Sequence, residues 1–320
     1  MPYSIEQKIF GLGKESVTRG TAAAPSVWLP VAKDTEMIYK LNLVKDEQVR
    51  DILEVFPSKA GIKDGTGKIS GVDVDATNIG EILFSLMGKR ADAQEGATVA
   101  YSHKFTKDST VLQNQSYTFY VGRGLSAKQY SLGVVKSVAM KGTVDGTAKL
   151  DADVLFQTET TDSAAITPTW VDPTPFMFYN TQIKTGGSAD ITTIKDWNLT
   201  IDNQSFTKRV LNQSQDIVDV VTAGKLQVSG GFTAYFEDEA RRTLFLAATS
   251  TTLEIICTGG AIATPYNYSL DINMPHILYT AYPFGEVDGL LGAAVTFDAY
   301  YDVATSETID ITLINKTTAY

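Results

Sequence analysis

The chain has 320 residues, 43% of them hydrophobic and 20% charged, which is enough apolar material for a packed core and excludes wholesale disorder. Its 27 Lys and Arg against 37 Asp and Glu give a net charge of −10, a poor basis for gripping nucleic-acid phosphates. One cysteine, Cys257, excludes an internal disulfide and a cysteine-cluster metal site, and two histidines, His103 and His276, leave little for histidine catalysis or zinc.

Residues 1–30 are rich in glycine and small side chains and read as an extended arm. Trp28 and Leu29, beside Pro30, are its candidate contacts with a neighbouring subunit. GLGKES at 11–16 fails as a phosphate loop, because Lys8 stands where a glycine is required and Glu15 where Ser or Thr is required. DEQVRDILEVF at 46–56 is a weak helix candidate, and 57–72 and 89–98 read as loops. ATNIGEILFSLMG at 76–88 places Ile79, Ile82, Leu83, Leu86 and Met87 at helical spacing, with Thr77 or Asn78 as cap and Gly88 as terminator. His103, in AYSHKFT, is expected on the wet side of a strand. Gly122, Gly124 and Ala127 fit a loose dinucleotide motif, but KQYSLGVV behind them reads as a strand, so a hairpin turn is expected.

From there the period is two. SVAMKG at 137–142 and KLDADVLFQTE at 149–159 alternate apolar and polar residues, Leu155 being an exception. DWNLTID at 196–202, KLQVSGGFTAYFED at 225–238, VTFDAYYD at 295–302 and TIDITLIN at 308–315 do the same. Such alternation predicts half-buried antiparallel strands. Residues 158–175, with three prolines, read as a linker, and 237–249 as a second helix with Leu244, Phe245 and Ala248 inward. The pairs Asp73/Asp75 and Asp151/Asp153 lie two apart on strands, which fits a solvated acidic face better than a calcium or glycosidase site. Cys257 reads as a small buried residue and His276 as structural. Six Asn-x-Ser/Thr sequons read as chance in a chain whose first residues hold no signal-like apolar run, and no stretch approaches a membrane-spanning length. The class is therefore all-β with accessory helices.

A weak internal repeat crosses the linker. Tyr117, Phe119, Tyr120, Val135 and Met140 match Phe176, Phe178, Tyr179, Ile194 and Leu199 at a constant offset of 59. Ala148-Lys149-Leu150 then matches Gly224-Lys225-Leu226 at 76, so the difference of 17 residues is read as an insertion near 203–219. Duplication predicts a first unit at 31–165 and a second at 166–320.

GLGKESVTRGTAAAPSVWLPV at 11–31 resembles the N-terminal arm of major tail tube proteins of long-tailed bacteriophages. WNLTIDN, GKLQVSGGFTAYFED, YNYSLDINMP, AAVTFDAYYD and ITLIN follow that family's strand order through the second half. The resemblance implies a structural virion protein and not an enzyme: a β-sandwich or barrel-like subunit with a flanking helix, duplicated within the chain on the repeat above, that forms rings stacked into a hollow tube. It implies no cofactor, no catalytic residue, no metal and no membrane partner. DNA would pass through the lumen without specific binding, other tail proteins would meet the tube ends, and the protein would be made in the host cytoplasm and end in the virion tail. On that reading Asp151, Asp153, Asp196, Asn198, Asp202 and Gln227 face the lumen, and two units per chain make a trimeric pseudo-hexameric ring, with an ordinary hexamer as the alternative. Rival classes are a capsid or decoration protein and a β-sandwich glycan-binding protein or hydrolase.

Overall fold

Period-two segments become strands that pair antiparallel throughout, as alternating wet and apolar faces require. The computed structural model describes residues 7–16, 18–51, 53–123, 127–162, 167–171, 174–187, 189–190 and 192–320. The first half holds β1 Ile9–Lys14, β2 Val27–Trp28, β3 Glu36–Val44, β4 Lys59–Asp73, α1 Gly80–Met87, β5 Gly88–Gln94, β6 Tyr101–Lys107, β7 Tyr117–Gly122, β8 Ala127–Thr143, β9 Lys149–Phe156 and β10 Thr158–Asp162. The second holds β11 Thr181–Thr185, β12 Ala189–Asp190, β13 Ile194–Asp202, β14 Ser205–Lys208, β15 Asp219–Thr222, β16 Gln227–Tyr235, α2 Ala240–Leu246, β17 Thr251–Ala263, β18 Tyr266–Ala281, β19 Phe284–Val287, β20 Leu290–Ala299 and β21 Asp310–Asn315.

Two layers enclose the core. One sheet runs β3-β4-β9-β8-β13-β16-β20, and the other runs β5-β6-β21-β18-β17-β11. β18 serves both, pairing with β21 before Pro275 and with β20 after it. β8 likewise pairs with β7 and β10 in its first half and with β9 and β13 in its second. Val138, Met140, Leu150, Val154, Leu199, Ile201, Phe232 and Phe297 of the first sheet share one buried cluster with Phe105, Ile255, Leu270, Ile272, Ile311 and Leu313 of the second. α1 closes one side of it, with Ile82, Leu83, Leu86 and Met87 fully buried. The halves expected on either side of residue 165 share this cluster and are joined by the β8–β13 and β6–β21 pairings.

Several expectations are corrected. Residues 57–72 are not a loop but most of β4. Its glycines hid the strand because they sit where side chains cross: a Cβ on Gly65 would fall 2.3 Å from Phe156 O, and one on Gly67 would fall 2.1 Å from Met37 Sδ. Residues 89–94 of the second expected loop belong to β5. Residues 46–56 form no helix among the residues described. Their apolar stripe has no surface to bury against, and Val49, Leu53 and Val55 are almost wholly exposed. α1 ends at Gly88 (φ 86°) as expected, but it is capped by neither Thr77 nor Asn78 and begins after Ile79. Residues 158–162 of the expected linker form β10, while 163–166 and 172–173 lie outside the described residues. Gly124 of the expected hairpin turn lies outside them too, though β7 and β8 pair as that turn requires.

The arm is corrected most. β1 pairs with β7 over six residues, and Phe10, Leu12 and Leu29 are buried in the chain's own core. Trp28 packs edge-on against Tyr120 of the same chain, with ring centroids 5.6 Å apart. Residues 1–6 lie outside the described residues.

Candidate functional site

The expected channel residues come together on one surface. In register across the first sheet, Asp153 of β9 faces Ser137 of β8, which faces Asp202 of β13, which faces Gln227 of β16. The next row on this face is Asp151, Ala139, Thr200, Ser229 and Asp298, and the one beyond it is Lys149, Lys141, Asn198, Gly231 and Thr296. Asp196 follows, between Thr143 and Thr233. All six candidates therefore lie on the polar side of one continuous antiparallel sheet whose other side is core, as a period of two demands.

Several of these groups are anchored. Asp151 accepts the Gly71 N–H at 2.7 Å, Asp153 the Ser137 hydroxyl at 3.0 Å, and Asp196 the Thr233 N–H at 3.2 Å. Asp202 accepts the Gln204 N–H at 2.8 Å, and the Gln204 amide donates to Gln227 at 3.2 Å. Asn198 is exposed. The sequence reading omitted Asp298, although the same alternation on VTFDAYYD puts it on this face. It also omitted Lys68, Lys141 and Lys149, which intersperse positive charge among the carboxylates. Where β4 ends and β9 begins, Lys149 and Thr147 bond Asp73. Burial pushes that carboxyl upward, but these bonds outweigh it and hold it below the usual range.

The segment read as an insertion forms the β14–β15 hairpin over one end of this face. Ile217 and Val220 cover Leu132, Val134 and Leu155, which explains why Leu155 broke the alternation. Tyr39 bonds Asp216, and Arg19 bonds Asp219 at 2.9 Å, so two other parts of the chain brace it. On the offsets read from the sequence, β16 meets β13 four residues out of the register in which β9 meets β8, and β8 and β13 themselves run antiparallel as neighbours. Phe178 and Tyr179 do not repeat Phe119 and Tyr120: they are exposed in a short 3-10 turn, whereas their counterparts are buried in β7.

The second exposed feature is apolar. β3 and β4 continue as a hairpin past the last pairing of β4 with β9, Gly65 with Phe156. Ile38, Leu41, Leu43, Val44 and Ile62 are exposed along it, and Val49, Leu53 and Val55 at its tip. β3 is a sheet edge, since its one strand partner among the described residues is β4.

Residues that suggested chemistry take structural places. His103 is not on the wet side. Alternation with Phe105 turns it inward, where it is fully buried between Asp92 (2.7 Å), the Thr317 carbonyl (2.9 Å) and the ring of Tyr320. Glu15 accepts hydrogen bonds from Gly20 N, Ser116 Oγ, Thr118 Oγ1 and Leu132 N, all within 2.9 Å. Cys257 is buried, and burial pushes its thiol up to about 11. On the outer side of the second sheet, burial with the charges of Glu254 and Asp310 pushes Asp271 up to about 7, and its Oδ1 has no hydrogen-bond partner. No group of three or more His, Cys, Asp or Glu among the described residues is arranged to hold a metal ion. A family model for phage tail tube proteins matches residues 6–299. No curated protein sequence matches the chain.

Proposed function

The chain belongs to the phage tail tube protein family, and from that premise we propose that it closes into rings which stack as the DNA-conducting tube of the virion tail. The observation that carries this reading is the projecting β3–β4 hairpin. A monomer that leaves Leu43 and Val44 in water on an unprotected sheet edge, and Val49, Leu53 and Val55 in water at the tip beyond it, has surface suited to another copy of itself.

The polar side of the first sheet is the proposed lumen wall. Asp151, Asp153, Asp196, Asp202 and Asp298 outnumber Lys68, Lys141 and Lys149 there, and Ser137, Thr200, Ser229 and Thr296 fill the space between. Such a surface repels phosphates at short range and offers no cluster of cations for counterion release, so DNA slides without being held.

Three chains per ring is the proposed stoichiometry, each chain supplying two tube units around a head-to-tail contact. Electron microscopy of the purified full chain at high concentration is the test. Rings and tubes are expected; closed shells would favour a capsid role, and monomers alone would remove the reading.

A further inference from the structure

Lys107 ends β6 in the second sheet, and Asn203 directly follows β13 in the first. The lysine Nζ donates a hydrogen bond to Asn203 Oδ1, so an amine and an amide carbonyl meet across the two layers. Asn203 is fully buried and fixed in orientation, its Nδ2 donating to Leu86 O at 2.6 Å and its backbone N–H to Lys136 O at 3.0 Å. Among the described residues Lys107 makes no ion pair, and the acceptor it does have is this neutral amide. Burial lowers the pKa of the amine, and the charge of Asp108 offsets this only in part. A partly desolvated lysine amine that donates to an amide oxygen stands one bond from the carbon it would attack.

We propose that Lys107 and Asn203 join in an intramolecular isopeptide bond that ties the two sheets together. The neutral Nζ attacks Asn203 Cγ and a C–N bond forms. The Cγ–Nδ2 bond breaks, and Nδ2 departs as ammonia carrying the proton that Nζ gives up. Asp108 lines the same cavity as Lys107 and carries that proton as base. Its carboxyl lies below the usual range because Thr110 bonds it, so it is ionised for the task. One amine and one primary amide become one secondary amide and ammonia, with no further reactant. Starting from the ammonium form, the released ion takes the positive charge with it. The reaction thereby removes from a partly buried position a cation that has no carboxylate partner among the described residues. The product constrains the unfolded chain as a disulfide would, in a chain whose one cysteine can form none internally.

Intact-mass spectrometry of the purified full chain decides it. The expected mass is that of the sequence less one ammonia, and a proteolytic digest should contain a branched peptide joining the segments that carry Lys107 and Asn203. Lys107→Arg keeps the charge without the nucleophilic amine, so its mass should match its sequence. The full sequence mass in the wild type, or loss of ammonia without the branched peptide, overturns the proposal; so does a Lys107→Arg chain that still loses ammonia.

Discussion

Glu15 shows how a single side chain can be misplaced by a motif. It disqualifies a phosphate loop by its position, yet it is 5% exposed and receives four hydrogen bonds from three separate segments. Glu15→Gln turns one acceptor oxygen into a donor facing donors, so it should destabilise the fold by about 2–4 kcal/mol, read as a lower urea midpoint. Asp271 acts in the opposite sense. Its folded pKa is raised from 3.8 to about 7, so the native chain keeps a proton that the unfolded chain releases. Stability from this group is full below about pH 4 and is lost as the pH rises towards 7. Lys184 opposes the shift while Glu254 and Asp310 support it. Asp271→Asn should therefore be near neutral at pH 4 and stabilising at pH 8, by about 1–2 kcal/mol once the partly open site's screening is allowed for. Chemical denaturation at the two pH values checks this, and an equal effect at both would refute it.

At the scale of elements, the first strand and the β3–β4 hairpin both depart from what was expected of them. The N-terminal segment, expected to order only against a neighbour, places Phe10 and Leu12 at 0% and 1% exposure inside its own core. Phe10→Ala should cost about 3–5 kcal/mol, and deletion through residue 24 should abolish folding rather than stacking alone. The tip expected to be helical is bare instead. Leu53→Asp with Val55→Asp removes no buried contact, so thermal unfolding of the monomer should stay within about 0.5 kcal/mol of wild type. The same pair puts charge on the surface proposed for assembly and should abolish tubes. Tubes formed normally by this variant in negative stain would show that the tip is not an assembly surface.

For the whole molecule the decisive quantities are ring mass and the sign of the lumen. A ring of three times 34.7 kDa supports two tube units per chain, and six times sinks that idea while leaving the tube itself intact. The β14–β15 hairpin, present in one half of the chain, then marks the ring with three features, each seated on the proposed lumen side at Leu132, Val134 and Leu155. Exchange of Asp153, Asp202 and Asp298 for lysine reverses the charge balance of that wall. Tubes of this variant should retain double-stranded DNA in a salt-dependent way that wild-type tubes do not, as a filter-binding titration over salt would read. Equal retention by both would place these residues away from the channel.

Period-two alternation alone determined that the chain is all-β, which side of β8, β9, β13, β16 and β20 is wet along their alternating stretches, and that Asp151, Asp153, Asp196, Asn198, Asp202 and Gln227 point one way relative to their own strands. Local chemistry also sufficed for α1, whose apolar spacing and terminal glycine need no partner to be read. Tertiary structure decided what depends on a neighbour distant in sequence. Gly65 and Gly67 look like loop residues until Phe156 and Met37 are seen to occupy the space their side chains would fill. The stripe at 46–56 looks helical until it is seen to have nothing to pack on, and His103 looks wet until Tyr320 is found above it. Pairing across the sheet, which turned six separately read positions into one surface, is a long-range property: register is set by core packing between strands far apart in the chain, and no local pattern encodes it.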